Sequence, residues 1–91
     1  MPSLAAAVAA PEPSLTTAFS VQARAEPGVM PRLLELFAKR GLVPERWRSA
    51  VVRPGMRLAI DIEIAGLGDD TVEYVANCMR QVTGVELVLT A

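Results

Sequence analysis

Glu26-Pro27-Gly28-Val29-Met30-Pro31-Arg32-Leu33-Leu34-Glu35-Leu36-Phe37-Ala38-Lys39-Arg40-Gly41-Leu42 joins an alternating segment to an amphipathic helix through a tight turn. Pro27 fixes φ on one side of that turn, and Gly28 permits φ values that a side chain resists. Pro31 falls in the first helical turn, where backbone N–H groups have no intrahelical partner to lose. Val29, Leu33, Leu36, Phe37 and Arg40 recur at helical spacing, which predicts a helix from about Val29 to Arg40. Lys39 and Arg40 favour the negative end of its dipole, and Gly41 supplies the stop. The N-terminal end offers free N–H groups beside a glycine, so it is a candidate seat for a small anion or a carboxylate. The turn alone favours the plainer reading, a well-made connection with nothing bound, since most helix N-termini meet only water.

On the N-terminal side, Leu15 to Ala25 reads as a strand, with Phe19, Val21 and Ala23 alternating against Ser20, Gln22 and Arg24. The residue before Pro27 is pushed to extended geometry and ends it. Met1 to Ser14 reads as a flexible tail rich in Ala and Pro, leaving 15–91 as the folded domain. The apolar run Ala5 to Ala10 lacks the positive flank of a signal peptide, because no Lys or Arg precedes Arg24. It is also too short to cross a bilayer.

Beyond the helix, Pro44 to Val52 reads as a second strand. Proline at its start suits a sheet edge. Arg53-Pro54-Gly55-Met56 is a turn, and Arg57 to Ala65 is the clearest strand, with Leu58, Ile60, Ile62 and Ile64 alternating against Ala59, Asp61, Glu63 and Ala65. Folding the hairpin about Pro54-Gly55 sets Trp47 opposite Ile62, Ser49 opposite Ile60 and Val51 opposite Leu58. The same register sets Arg48 opposite Asp61 and Arg46 opposite Glu63. Both faces agree, whereas a one-residue slip would set apolar against charged.

After the connector Gly66-Leu67-Gly68, Asp69 or Asp70 is expected to cap a second helix, Asp70 and Glu73 having the spacing of a capping box. Val72, Val75, Ala76, Met79 and Val82 form its apolar stripe, and Thr83-Gly84 ends it. Val85 to Leu89 is the last strand, with Val85, Leu87 and Leu89 assigned to one face. The order β-α-β-β-α-β, closed by right-handed crossovers, predicts an α+β, ferredoxin-like fold. Four antiparallel strands in the spatial order 4, 1, 3, 2 carry both helices on one face.

Composition narrows the function classes. A chain of 91 residues with net charge −1 forms one small domain with no electrostatic footprint for nucleic acid. One cysteine and no histidine exclude an intramolecular disulfide and leave zinc with a single sulfur and no imidazole, so neither a metal nor a cofactor is expected. A thiol left free suits a reducing, cytoplasmic setting. No histidine is present to act as a base near neutral pH. Cys78 reads as a small buried hydrophobe and Asp69-Asp70 as a cap, so no enzymatic activity is expected. An RNA-binding sheet of this topology would place aromatics where strand 3 carries Asp61 and Glu63.

From about Thr17 to Leu89 the chain resembles an ACT domain. The run Glu26-Pro27-Gly28-Val29 through Leu33, Leu36, Phe37 and Arg40-Gly41-Leu42 is similar to the regulatory (small) subunit of acetolactate synthase, as is the Val85-Glu86-Leu87 ending. The resemblance implies a non-catalytic regulatory protein of branched-chain amino-acid biosynthesis. It would pair with a second copy through strand 2 into one continuous sheet and bind the catalytic subunit. A small amino acid, typically valine or another branched-chain one, would sit between the first turn of one copy and the start of strand 2 of the other. The ligand-side positions carried over are Ala25, Glu26, Gly28, Val29, Met30 and Val43. Two of these depart from the family pattern, with Ala25 and Val43 standing where the family carries amide side chains. A stand-alone dimeric amino-acid sensor, or one that has lost its ligand, is the alternative implied.

Overall fold

The computed structural model describes residues 16–91. The expected tail, 1–14, lies outside them. Six elements follow in order: β1 (Thr16–Arg24), α1 (Val29–Lys39), β2 (Arg46–Arg53), β3 (Arg57–Ala65), α2 (Asp69–Arg80) and β4 (Val85–Thr90). The sheet order is β2-β3-β1-β4, every pair antiparallel, as the βαββαβ order and right-handed crossovers require.

Alternation in β1 and β3 decides where the core lies. Phe19 stands opposite Ile62, Val21 opposite Ile60 and Ala23 opposite Leu58, and all six are buried. Val29, Leu33, Leu36 and Phe37 of α1 close over them together with Val75, Ala76 and Met79 of α2. These are the apolar stripes the spacing marks. The other sheet face carries Ala18, Ser20, Gln22, Ala59, Asp61 and Glu63, half-buried or exposed.

The β2–β3 register agrees with the hairpin folded about Pro54-Gly55 from Arg46–Glu63 through Val51–Leu58. Gly55 has φ +73 and Met56 N–H donates to the Arg53 carbonyl at 2.9 Å, the geometry of a type II turn with proline first. Arg46 and Glu63 approach to 3.6 Å. Arg48 and Asp61 are cross-strand neighbours, both exposed, and form no ion pair.

Helix α1 ends as its sequence dictates. Gly41 takes φ +70, its N–H donates to Ala38 and that of Leu42 to Phe37, which completes a Schellman closure. Arg40, the polar end of the helical spacing, is the exposed C-cap residue. Its guanidinium donates to the Leu36 carbonyl, the Tyr74 hydroxyl and the Cys78 thiol, and the Tyr74 hydrogen bond raises its pKa. Cys78 is accordingly half-buried and hydrogen-bonded, not a fully buried hydrophobe.

Two local expectations are corrected. The Asp70–Glu73 capping box does not form: Gly68 is the N-cap and no side chain caps the helix. With the helix starting at Asp69, both aspartates sit inside the first turn, where their charge favours the dipole. In β4, the phase is inverted over most of the strand. Val88 is buried opposite Val21, while Leu87 and Leu89 lie on the open face opposite Gln22 and Ser20. The cause is a β-bulge at Glu86, which inserts one residue between the Leu87 and Val85 pairings and resets the alternation.

Candidate functional site

Residues 25–28 close the gap between β1 and α1, and two segments, 83–84 and Met56, hold the turn and its flanks. Arg24 N–H donates to the Gly84 carbonyl at 2.8 Å, Ala25 N–H to Met56 at 3.2 Å, and Arg32 Nη1 to Thr83 at 3.3 Å. The turn is held internally by Glu26 N–H to Arg24 at 2.8 Å and Val29 N–H to Glu26 at 3.2 Å. Gly84 must be glycine. It has φ +99, and a Cβ there would lie 2.7 Å from Val29 Cγ2.

Gly28 does a different job from the one its φ freedom suggests. Its φ is −80, open to any residue. Absence of a side chain instead lets the Arg32 guanidinium fold over it, 2.9 Å from where a Cβ would stand. The N–H groups of Gly28 and Met30 find no backbone acceptor among the described residues, and α1 has no side-chain cap and no acidic residue in its first turn. Two donors at the positive end of the helix dipole are therefore open.

Beside them lies a cavity of about 220 Å³, lined by Ala25, Glu26, Pro27, Met30, Val51 and Leu58. Its walls are aliphatic apart from Glu26. That carboxylate is turned toward Arg24, 3.7 Å from Nη1. The space has the size and the mostly aliphatic walls to take a small aliphatic group.

Of the six sequence-marked positions, Ala25, Glu26 and Met30 come together in this cavity. Gly28 is not among its walls and lies under the Arg32 guanidinium. Val29 contributes no side chain, being fully buried in the core. Val43 lies elsewhere in the same chain. It follows α1, whose 11 residues carry the chain roughly 16 Å from the turn, and it is 80% exposed. Sequence reading missed Pro27, Val51 and Leu58 as walls. The hairpin register holds the signal for the last two, since it carries the Val51–Leu58 pair to the end of the sheet beside the turn.

A larger groove of about 490 Å³ crosses the open face past Arg46, Arg48, Asp61 and Glu63. Charges of both signs line it, as expected of a solvated face. Among the described residues, no three of His, Cys, Asp and Glu cluster as a metal site, and no helix is long and apolar enough to cross a membrane.

The βαββαβ order, the β2-β3-β1-β4 sheet and the turn that joins β1 to α1 define an ACT-like fold. The ACT-like domain model matches residues 11–90, and the chain belongs to that family of regulatory modules. No curated protein sequence matches it. Among solved structures it is similar to the ACT domain of GTP pyrophosphokinase from Chlorobium tepidum. The two share 11% identity at TM-score 0.73, over 87% of this chain and 100% of that one. It is similar also to the C-terminal domain of the MgtC protein from Mycobacterium tuberculosis, at 13% identity and TM-score 0.70, over 91% and 92%. The acetolactate synthase small subunit from Thermotoga maritima is 23% identical at TM-score 0.69 over 84% of this chain, which spans 47% of that subunit. At these identities the structural likenesses speak for the fold.

Proposed function

We propose that this ACT-like domain is a regulatory subunit for acetolactate synthase, pairing with a second copy through β2 and acting on the catalytic chain. The observation that carries the reading is the β2 edge. Trp47 is half-buried, Val51 and Val52 are each 56% exposed, and neither helix packs extensively on the strand. Val51 also walls the aliphatic cavity, so pairing along β2 would close the cavity that a branched side chain fits. The Glu26-to-Leu42 motif and the 23% identity to the Thermotoga maritima small subunit support the choice of partner.

One observation favours a second reading, a paired module that no longer responds to an amino acid. Ala25 and Val43 offer no polar atoms to an ammonium group, and the Glu26 carboxylate faces Arg24. Light scattering at micromolar concentration tests the pairing. Twice 9.7 kDa is expected, and Val52→Lys should shift the equilibrium toward monomer. Affinity capture from native cells tests the partner. Recovery of the acetolactate synthase catalytic chain supports the first reading, and a dimer recovered without it supports the second. A stable monomer overturns both.

A further inference from the structure

The hairpin that supplies Val51 and Leu58 to the aliphatic cavity also builds a second, polar one. Arg24 stands opposite Arg57 across β1 and β3, and Arg53 stands opposite Arg57 across β2 and β3. Three guanidinium groups therefore occupy one cross-strand row at the end of the sheet. The row depends on a bulge. Continuing the Val51–Leu58 register would pair Arg53 with Met56, and the shift after Val51 pairs it with Arg57 instead. All three arginines line a cavity of about 280 Å³ together with Glu26 and Glu86.

Like charges set directly opposite on adjacent strands destabilise a sheet. The chain answers two of the three. Glu26 lies 3.7 Å from Arg24, and Glu86 lies 3.3 Å from Arg57, which also donates to Gln22 at 2.9 Å. Arg53 has no carboxylate within ion-pair distance among the described residues. Both existing pairs are long and partly exposed, so a better acceptor can displace or bridge them at little cost. Guanidinium groups take phosphate and carboxylate oxygens two at a time, which suits a row of them to an anion with several oxygens.

We propose that Arg24, Arg53 and Arg57 form a binding site for a compact anion carrying two or more negative charges on phosphate or carboxylate oxygens. Compactness follows from the surroundings. Adjacent strands are about 4.8 Å apart, so the row spans roughly 10 Å. Farther along the same face Arg48 and Arg46 stand opposite Asp61 and Glu63, so the charge is mixed and the positive row does not continue, and the chain's net charge is −1. The site differs from the aliphatic cavity although Ala25 and Glu26 touch both. Leu58 faces the helices, and its neighbour Arg57 faces the opposite side of the sheet.

Titration of the full chain with inorganic pyrophosphate, and separately with citrate, at constant ionic strength and followed by amide NMR, tests the site. Saturable shifts are expected at Arg24, Arg53, Gly55, Met56 and Arg57. Arg53→Gln should weaken binding about tenfold or more, with its thermal midpoint unchanged because Arg53 is exposed. Arg53→Lys, which keeps the charge and loses the fork, should fall between. Saturation by pyrophosphate alone identifies a phosphate ligand, by citrate alone a carboxylate, and by both a seat that reads charge and oxygen count. No saturation by either probe overturns the proposal, as does binding that Arg53→Gln leaves unchanged. Met30→Ala, in the aliphatic cavity, should not alter the titration, which keeps this test separate from that of the amino-acid site.

Discussion

The two edges of the sheet are finished differently. At β4, α2 packs along the strand, Arg80 donates to the Val88 carbonyl at 2.8 Å, and the bulge at Glu86 bends the edge away from regular pairing. Each device discourages another strand from adding there. At β2 none of them operates along the central residues. The strand runs regularly from Arg46 to Val51, no helix blocks it, and its one irregularity falls beyond Val51. A protein that needed only solubility would guard both edges. Guarding one and leaving the other regular and partly apolar is the contrast on which the proposed pairing along β2 rests.

The largest effect should come from one substitution made at both edges. Val88 is 1% exposed and Val51 is 56% exposed. Val88→Ala removes two buried methyl groups, which should cost about 2 kcal/mol whatever the protein concentration. Val51→Ala should cost the isolated chain less than about 0.5 kcal/mol. With the proposed pairing along β2, its cost should grow with protein concentration, because pairing would bury Val51. Chemical denaturation of both variants over a range of protein concentrations separates the two. Equal, concentration-independent losses would abolish the distinction between the edges.

A smaller effect tests the guard on β4. Arg80→Gln removes the hydrogen bond to the Val88 carbonyl and the contact with Asn77 at 2.7 Å. A loss of about 1 kcal/mol is expected. Higher oligomers should also appear in light scattering as the β4 edge opens. Unchanged mass with unchanged stability would mean that the bulge alone protects that edge.

The same contrast governs what could be read from the residues. The β2–β3 register was legible because two independent patterns, apolar on one face and opposite charges on the other, fix the same phase. In β4 only an apolar alternation of a few residues was available. It points Leu87 and Leu89 inward, and nothing in Val85-Glu86-Leu87 announces a bulge. The capping box failed for a similar reason: Asp69 and Asp70 are both suitable caps, local sequence does not choose between them, and the N-cap falls on Gly68, two residues before Asp70. At the site, the motif marked Ala25, Glu26 and Met30 because they are local to the turn. Val51 and Leu58 arrive through the hairpin, and the arginine row arrives through a bulge that breaks the extrapolated register.

The smallest expected signal is that of valine itself. A buried amino acid needs partners for its ammonium as well as its carboxylate, and an unpaired charge in a closed site is costly. The open N–H groups of Gly28 and Met30 suit the carboxylate, and Met30, Val51 and Leu58 suit an aliphatic side chain. For the ammonium, Ala25 and Val43 offer only carbon, and Glu26 must first leave Arg24. Calorimetric titration with valine, leucine and isoleucine should therefore show little or no binding. Restoring amides by Ala25→Asn with Val43→Asn should create or strengthen it, and the double variant should need the paired form, because Val43 lies a helix length from the turn within one chain. Low-micromolar binding by the unaltered chain would show that other groups hold the ammonium. Ala25→Asn would then change the affinity little, and the β2 edge would be guarding a working sensor.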